Sequence, residues 1–216
     1  MQDIPSQISY WDRVASEKRF SHPLRVDWLL KHFKNPEARV LDYGCGYGRT
    51  LADLSAAGFK NLFGVDFAEA MLARARVEVR GPGLIRNDGR DLPFKSESFH
   101  AVLLFAVLTC TPEDHEQRLL LAEAERVLRP GGLLYLSDVL VNDDARNRER
   151  YERDAGRYDC YGIFELPEGV VVRHHTREWI EKITGRFERL EYEPFDVTTM
   201  NGNLSAAFQY LGRKST

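Results

Sequence analysis

The stretch that most constrains this chain is Val40-Leu41-Asp42-Tyr43-Gly44-Cys45-Gly46-Tyr47-Gly48-Arg49-Thr50. Val40 and Leu41 read as the end of a buried strand, and Thr50 and Leu51 open a helical pattern. Between them, three alternate glycines keep side chains out of a tight turn. A strand, a glycine turn and a helix N-terminus together make a cradle. Unpaired backbone N–H groups and the positive end of the helix dipole face a polar or charged ligand end. A second short apolar strand, Leu62-Phe63-Gly64-Val65-Asp66, ends in a carboxylate. Asp66 follows Gly46 by 20 residues, near the spacing at which nucleotide-binding folds set an acid on a ribose diol.

Two ligand classes fit that pair of features. Dinucleotide sites read G-x-G-x-x-G, and here the sixth position counted from Gly44 is Arg49. The glycines run G-x-G-x-G instead. Asp42, Gly44, Gly46 and Gly48 match, position by position, the Asp-x-Gly-x-Gly-x-Gly that follows the first strand of the class I S-adenosylmethionine-dependent methyltransferases. The chain resembles that family. The resemblance implies an α/β, Rossmann-like fold: a mostly parallel seven-stranded sheet with an antiparallel C-terminal hairpin, helices on both faces and an N-terminal helical appendage. It implies S-adenosylmethionine as cofactor. That molecule has a zwitterionic end and no pyrophosphate, so the loop is needed for close backbone approach.

Further runs carry the same resemblance. Asn87-Asp88-Gly89-Arg90-Asp91-Leu92-Pro93-Phe94 resembles the family's second cofactor segment. There Asp88 matches the acid that accepts from the adenine amino group, and Gly89 the small residue whose N–H reaches a ring nitrogen. Residues 126–138, Arg-Val-Leu-Arg-Pro-Gly-Gly-Leu-Leu-Tyr-Leu-Ser-Asp, resemble the family's later helix, turn and strand, which serve as scaffold. The expected cofactor-binding set is Tyr10, Asp42, Gly44, Cys45, Gly46, Asp66, Phe67, Met71, Asp88, Gly89 and Phe105. Phe67 follows the acid and can lie on adenine. Met71 opens the next helix. Phe105 ends the fourth strand, where open parallel sheets place ligands. Tyr10 is the aromatic that such an appendage brings onto the cofactor.

Organisation along the chain follows from these anchors. Its 216 residues suffice for one domain, divided into a helical appendage (1–37), a cofactor-binding core (38–140), a cap insertion (141–175) and a C-terminal helix with strands (176–216). Thr111 with Pro112 reads as the start of a helix, and Arg129-Pro130-Gly131-Gly132 as its break before a strand at 133–138. Residues 142–159 are highly charged and read as a solvated helix. The cap follows the fifth strand, where the family builds substrate pockets. Tyr158 and Tyr161 are its expected acceptor-binding residues. Adjacent His174 and His175 point to opposite sides of an extended backbone, and His175 is the candidate general base.

The net charge of −3 argues against a protein built on phosphate-backbone contacts. Residues 1–5 lack the apolar core of a signal peptide, and no apolar run reaches membrane-spanning length. Cys45, Cys110 and Cys160 form neither a disulfide framework nor a metal-binding pair. The expectation is a cytoplasmic enzyme with no membrane or nucleic-acid partner and no bound metal. The predicted reaction is methyl transfer to a small-molecule acceptor by in-line displacement. Alternatives are transfer to tRNA or protein, and a non-catalytic S-adenosylmethionine-binding subunit. A nicotinamide oxidoreductase is the rival from another class: Tyr210 and Lys214 have the Tyr-x-x-x-Lys spacing, on an expected strand end where the short-chain dehydrogenases use a helix.

Overall fold

The computed structural model describes residues 4–33 and 35–216; the first three residues of the expected appendage and residue 34 lie outside the described residues. Five apolar segments form parallel strands: β1 (Arg39–Tyr43), β2 (Asn61–Asp66), β3 (Gly83–Arg86), β4 (Phe99–Phe105) and β5 (Leu128–Val139). A separate small hairpin comprises β6 (Ile163–Glu165) and β7 (Val171–Arg173), and the chain ends in β8 (Phe187–Thr198) and β9 (Leu204–Lys214). The main sheet has the order β3-β2-β1-β4-β5-β9-β8, with β9 antiparallel to both neighbours. The seven-stranded sheet and its antiparallel hairpin are as predicted.

Period-two alternation supplies both helical layers. Leu41, Val102, Leu134 and Leu136 face helices α5 (Asp114–Val127) and α7 (Arg177–Thr184). Their neighbours Val40, Ala101, Leu103 and Leu133 face α2 (Val26–His32), α3 (Arg49–Ala56) and α4 (Glu69–Glu78). Both layers are mostly apolar at the sheet, as a strand buried on two faces requires, with Asp42, Ser137, Asp138 and Gln209 as buried polar exceptions. Among the described residues, no helix is long and apolar enough to cross a membrane.

Two boundaries differ from expectation. The helix predicted at Thr111 starts at Asp114, after Glu113. Pro112 disfavours the helical region for the residue before it, and Thr111 instead closes a 3₁₀ turn over Leu108–Cys110 and donates its hydroxyl to the Val107 carbonyl. Residues 129–132 do not break β5. They bulge from it, so that Phe99 pairs with Leu128 and Ala101 with Leu133.

The appendage is a roof. Helix α1 (Ile4–Val14) buries Tyr10, Trp11 and Val14 in a third apolar cluster with Met71 of α4 and with Tyr151, Phe164 and Val172 of the cap. Between α1 and α2 runs an irregular strap. Its backbone is tied at each end: Tyr47 Oη accepts from Phe20 N (3.0 Å), Gln209 Nε2 donates to the Pro23 carbonyl (2.6 Å), and Tyr135 Oη accepts from Arg25 N (3.1 Å) while donating to Gln209 Oε1 (2.7 Å). Loops can be this irregular and still ordered only when such groups are paired.

Replacing Tyr135 by Phe leaves Arg25 N–H and Gln209 Oε1 without that partner, at a cost of about 1–2 kcal/mol. For a chain of this length the expected fall in Tm is about 2–8 °C, with faster amide exchange at Arg25. An unchanged Tm and unchanged exchange at Arg25 would show that the strap does not depend on this hydroxyl.

Candidate cofactor and acceptor cavities

The glycine loop is pinned to the end of β2. Gly44 N and Cys45 N both donate to the Val65 carbonyl, at 2.8 and 2.9 Å. Asp66 then secures the next turn on each side: Oδ2 accepts from Gly46 N (2.8 Å) and Oδ1 from Ala68 N at the start of α4 (2.9 Å). At Gly44, φ is +81° and an added Cβ would sit 2.5 Å from Val107 Cγ2, so only glycine fits. Gly46 differs from the expectation of crowding. Its φ is +52°, yet a Cβ would meet nothing nearer than Phe20 at 4.0 Å; the space beside it belongs to a cavity.

That cradle cavity is walled by Gly44, Cys45, Gly46, Asp66, Phe67, Met71 and Phe105, with Arg49 beside them, and roofed by Trp11, Phe20 and His22. It joins a wider cavity of about 700 Å³ that holds Asp88 and Gly89 and shares Gly44, Asp66, Phe67, Val107 and Cys110 with the first. Helix α3 opens on the cradle, and its first intrahelical bond is Ala52 N to the Gly48 carbonyl. The amides of its first turn are thus without intrahelical partners.

A third, cap cavity abuts the cradle across Trp11, Phe20, His22, Ala106 and Cys110. Its far wall comes from α6 (Ala145–Asp154), the β6–β7 hairpin and the β8–β9 turn. Ala106, between the two chambers, has φ +56°, a conformation that costs a non-glycine residue about 1 kcal/mol or more.

Several predicted residues lie elsewhere. Asp42 is buried beneath the loop and lines no cavity; burial pushes its pKa up to about 7, against the opposing field of Arg49. Tyr10 turns into the roof cluster, and the next residue, Trp11, takes the cavity wall. Gly89 reaches the wide cavity, but its N–H donates to Asn87 Oδ1 (2.8 Å) and its carbonyl accepts from Tyr43 Oη. Asn87 has closed an Asx turn, so this amide is not open to a ring nitrogen. Tyr158 and Tyr161 sit on the outside of the cap, Tyr161 with half its surface exposed, and line no cavity. His175 is fully buried. Its N–H donates to the Val139 carbonyl and its carbonyl accepts from Val141 N, a bridge that stitches it beside β5. Its imidazole lies 3.8 Å from Asp138 and reaches neither cavity. Burial, then Arg173, holds the ring neutral. It is a core residue, not a base facing an acceptor. Lys214 Nζ caps the Glu125 and Leu128 carbonyls, so the Tyr210–Lys214 pair is part of the strand scaffold.

Sequence reading missed the histidine that does face the chambers. His22, on the strap, borders both the cradle and the cap cavity. Nδ1 lies 3.0 Å from Ser137 Oγ of β5, and the ring edge packs on Phe195. That contact fixes the ring and turns Nε2 to ligand use. Burial, then the Arg49 charge, lowers the His22 pKa to about 4. His174, on the cap wall, is lowered to about 3 by burial and then Arg150, and contacts Tyr151 Oη at 2.6 Å. Cys110 touches all three chambers, but burial and then Asp138 and Asp66 push its thiol far up, so it is an apolar wall and not a thiolate.

His22 and His174 are neutral throughout the physiological range. In ¹⁵N-labelled protein their ring shifts are expected to stay constant from pH 5 to 8. A midpoint near 6.5 for His22 would show that its ring is solvated and unpaired.

Residues 41–136 match the methyltransferase-domain family model. The chain is 36% identical over 150 residues to phthiotriol/phenolphthiotriol dimycocerosates methyltransferase 1 of Mycobacterium ulcerans (66% of this chain, 52% of the relative). It is 29% identical over 141 residues to the ubiquinone biosynthesis O-methyltransferase of Stutzerimonas stutzeri (63% and 60%). The chain thus spans about half to three fifths of the length of these curated relatives. A crystal structure of an S-adenosylmethionine-dependent methyltransferase from Methanosarcina mazei superposes with a TM-score of 0.79 at 24% identity, over 87% of this chain and 97% of that one. The glycine cradle, the strand order and these likenesses agree: residues 41–136 match a methyltransferase domain, and the chain has the fold of the class I S-adenosylmethionine-dependent methyltransferases.

Proposed function

We propose that this protein binds S-adenosylmethionine across the cradle and wide cavities and transfers its methyl group, in line, to a small molecule in the cap cavity. The observation that carries this reading is Asp66. One carboxylate at the junction of the two cofactor-side cavities anchors both the loop and α4, and borders both cavities where a hydroxyl pair can reach it. A ribose diol needs such a pair of acceptors.

The surrounding residues fit the rest of the cofactor. Phe67 offers a flat face beside Asp66, and Asp88 stands at the rim of the wide cavity with one oxygen bound to Arg90 N. Phe105 and Met71 supply apolar wall. The unpaired amides of α3 and the Arg49 guanidinium suit an α-carboxylate. When bound, S-adenosylmethionine supplies a methyl group on a sulfonium that leaves readily. The protein's task is then to align the acceptor and exclude water. Trp11 and Phe20 roof the passage between chambers, and His22 stands at it. With a pKa near 4, His22 is a weak base; its neutral ring is a hydrogen-bond partner that orients an acceptor hydroxyl or amine. His22 therefore replaces His175 as the side chain for this role. The cap cavity is enclosed by a roof and a hairpin, which favours small molecules over the tRNA or protein alternative.

Burial raises the Asp66 pKa to about 6, against the pull of the Ala68, Gly46 and Phe67 amides. Only the ionised carboxylate accepts from both ribose hydroxyls. By calorimetry, affinity for S-adenosylhomocysteine should be flat above pH 7 and weaken below pH 6, approaching tenfold per unit. Asp66→Asn should bind at least tenfold more weakly, with no such pH dependence. Equal affinity of the two proteins would overturn the role of Asp66. For the acceptor, methyl-labelled S-adenosylmethionine supplied with a metabolite extract, total tRNA and total protein should label the small-molecule fraction; label in tRNA or protein alone would overturn that choice.

A further inference from the structure

The cap cavity is apolar over most of its wall, with Trp11, Phe20, Phe164, Leu166 and Met200 facing it. Two cations interrupt it, Arg146 and Arg150 of α6. The acidic neighbours of Arg150 are committed elsewhere. Asp144 caps α6, accepting from Asn147 N at 3.1 Å and from Asn147 Nδ2, and is 3.8 Å from Arg146. Asp154 pairs with Arg153 at 2.7 Å, and Glu165 with Arg157 at 2.9 Å. Arg150 has no ion-pair partner among the described residues. It donates to the neutral Asn147 Oδ1, its carbon stem is half-buried, and its guanidinium lies over the Phe164 ring at 4.3 Å from the centroid. Its Nε is buried with no hydrogen-bond partner.

A guanidinium partly withdrawn from water, with a buried N–H and no carboxylate, carries a cost. Arginine's planar fork suits a bidentate oxyanion, and its stacking on Phe164 leaves the fork's edge for one. Burial, followed by the like charge of Arg146, pushes the Arg150 pKa below its ordinary value. An anion entering the chamber offsets both.

Building on the proposed methyl transfer, we infer that the acceptor is amphipathic: an aryl or alkyl body fills the apolar cap cavity, and a terminal oxyanion, carboxylate or phosphate in type, is held by Arg150 with Arg146 beside it. The two arginines and His22 border the same chamber, so the anion is bound at the cap wall while the nucleophile sits at the passage to the cradle. Arg150 is on this account a specificity residue, and it has no part in cofactor binding.

The test uses 4-hydroxybenzoate, 4-hydroxyphenylacetate and 3-(4-hydroxyphenyl)propanoate, each beside its primary amide and its phosphonate counterpart. Binding is measured by calorimetry or ligand-observed NMR to wild type, Arg150→Met and Arg150→Lys. Each protein is used alone and saturated with S-adenosylhomocysteine. At least one anion should bind wild type tenfold or more tightly than its amide. Arg150→Met should abolish that preference, Arg150→Lys should retain part of it, and S-adenosylhomocysteine affinity should stay within twofold in both. A phosphonate preferred to a carboxylate supports the oxyanion site and identifies its ligand. No anion preference in wild type across the series, or a preference that survives Arg150→Met in protein with an unchanged Tm, overturns the inference. Failure to bind S-adenosylhomocysteine counts against the cofactor reading instead, because the anion preference is read on the protein alone as well.

Discussion

A single carboxylate holds the site together. Asp66 leaves β2 with its oxygens committed to backbone on two sides, the glycine loop at Gly46 and the start of α4 at Ala68. The loop is already tethered to the preceding carbonyl of Val65 through two amides. The loop, strand end and next helix are therefore positioned as one unit by hydrogen bonds to β2. In a chamber with apolar walls such bonds are stronger than in water and expensive to leave unmade. The ligand-facing geometry of Gly46, Phe67 and Met71 follows from it.

The site also concentrates titratable groups whose pKa values are moved by burial. Asp42, Asp66 and Asp138 are raised, to about 7, 6 and 7, each chiefly by desolvation. A carboxylate with a raised folded pKa contributes stability that is full below its unfolded pKa of about 4 and is lost as pH rises through the folded value. His22 and His174, with folded values near 4 and 3, act in the opposite sense: their cost is felt at low pH and is relieved as pH rises toward about 6.5. Between pH 4 and 6.5 the two sets oppose each other, and from there to about pH 7 the carboxylates alone act, so stability declines until they are ionised. A ligand with net positive charge beside Asp66 relieves part of that decline. Asp66 thus gives its side of the cradle a preference for a cationic group, while Arg49 and the first turn of α3 favour an anionic one, and Arg150 does the same for the cap chamber.

What was legible in the sequence was local. Gly44, Gly46 and Gly48 follow a strand directly, and the strand ending in Asp66 has the apolar pattern that makes its place in the sheet predictable. The seven-stranded sheet with its antiparallel hairpin is what the family resemblance carried by those motifs implies, and the structure has it. What was not legible depends on partners distant in sequence. His22 sits between a serine and a proline with no periodic pattern, and its ring is positioned by Ser137, 115 residues away. Extended parity separated His174 from His175 but said nothing of which side faces a chamber; the bridge between Leu140 and His175 decides that. Gly89 lines the wide cavity, yet the Asx turn closed by Asn87 takes its amide. Tyr158 and Tyr161 were assigned to the pocket from their position in the cap insertion, and position in sequence does not fix the inner face of a cap.

The central claim is that the hinge of β1 and α3, with Asp66, grips a nucleoside. A crystal structure of the protein grown with S-adenosylhomocysteine tests it most directly. The account predicts ribose density within hydrogen-bonding distance of both Asp66 oxygens, with the amino-acid end beside Gly46. Density in another part of the molecule, or an empty cradle at saturating ligand, would contradict it.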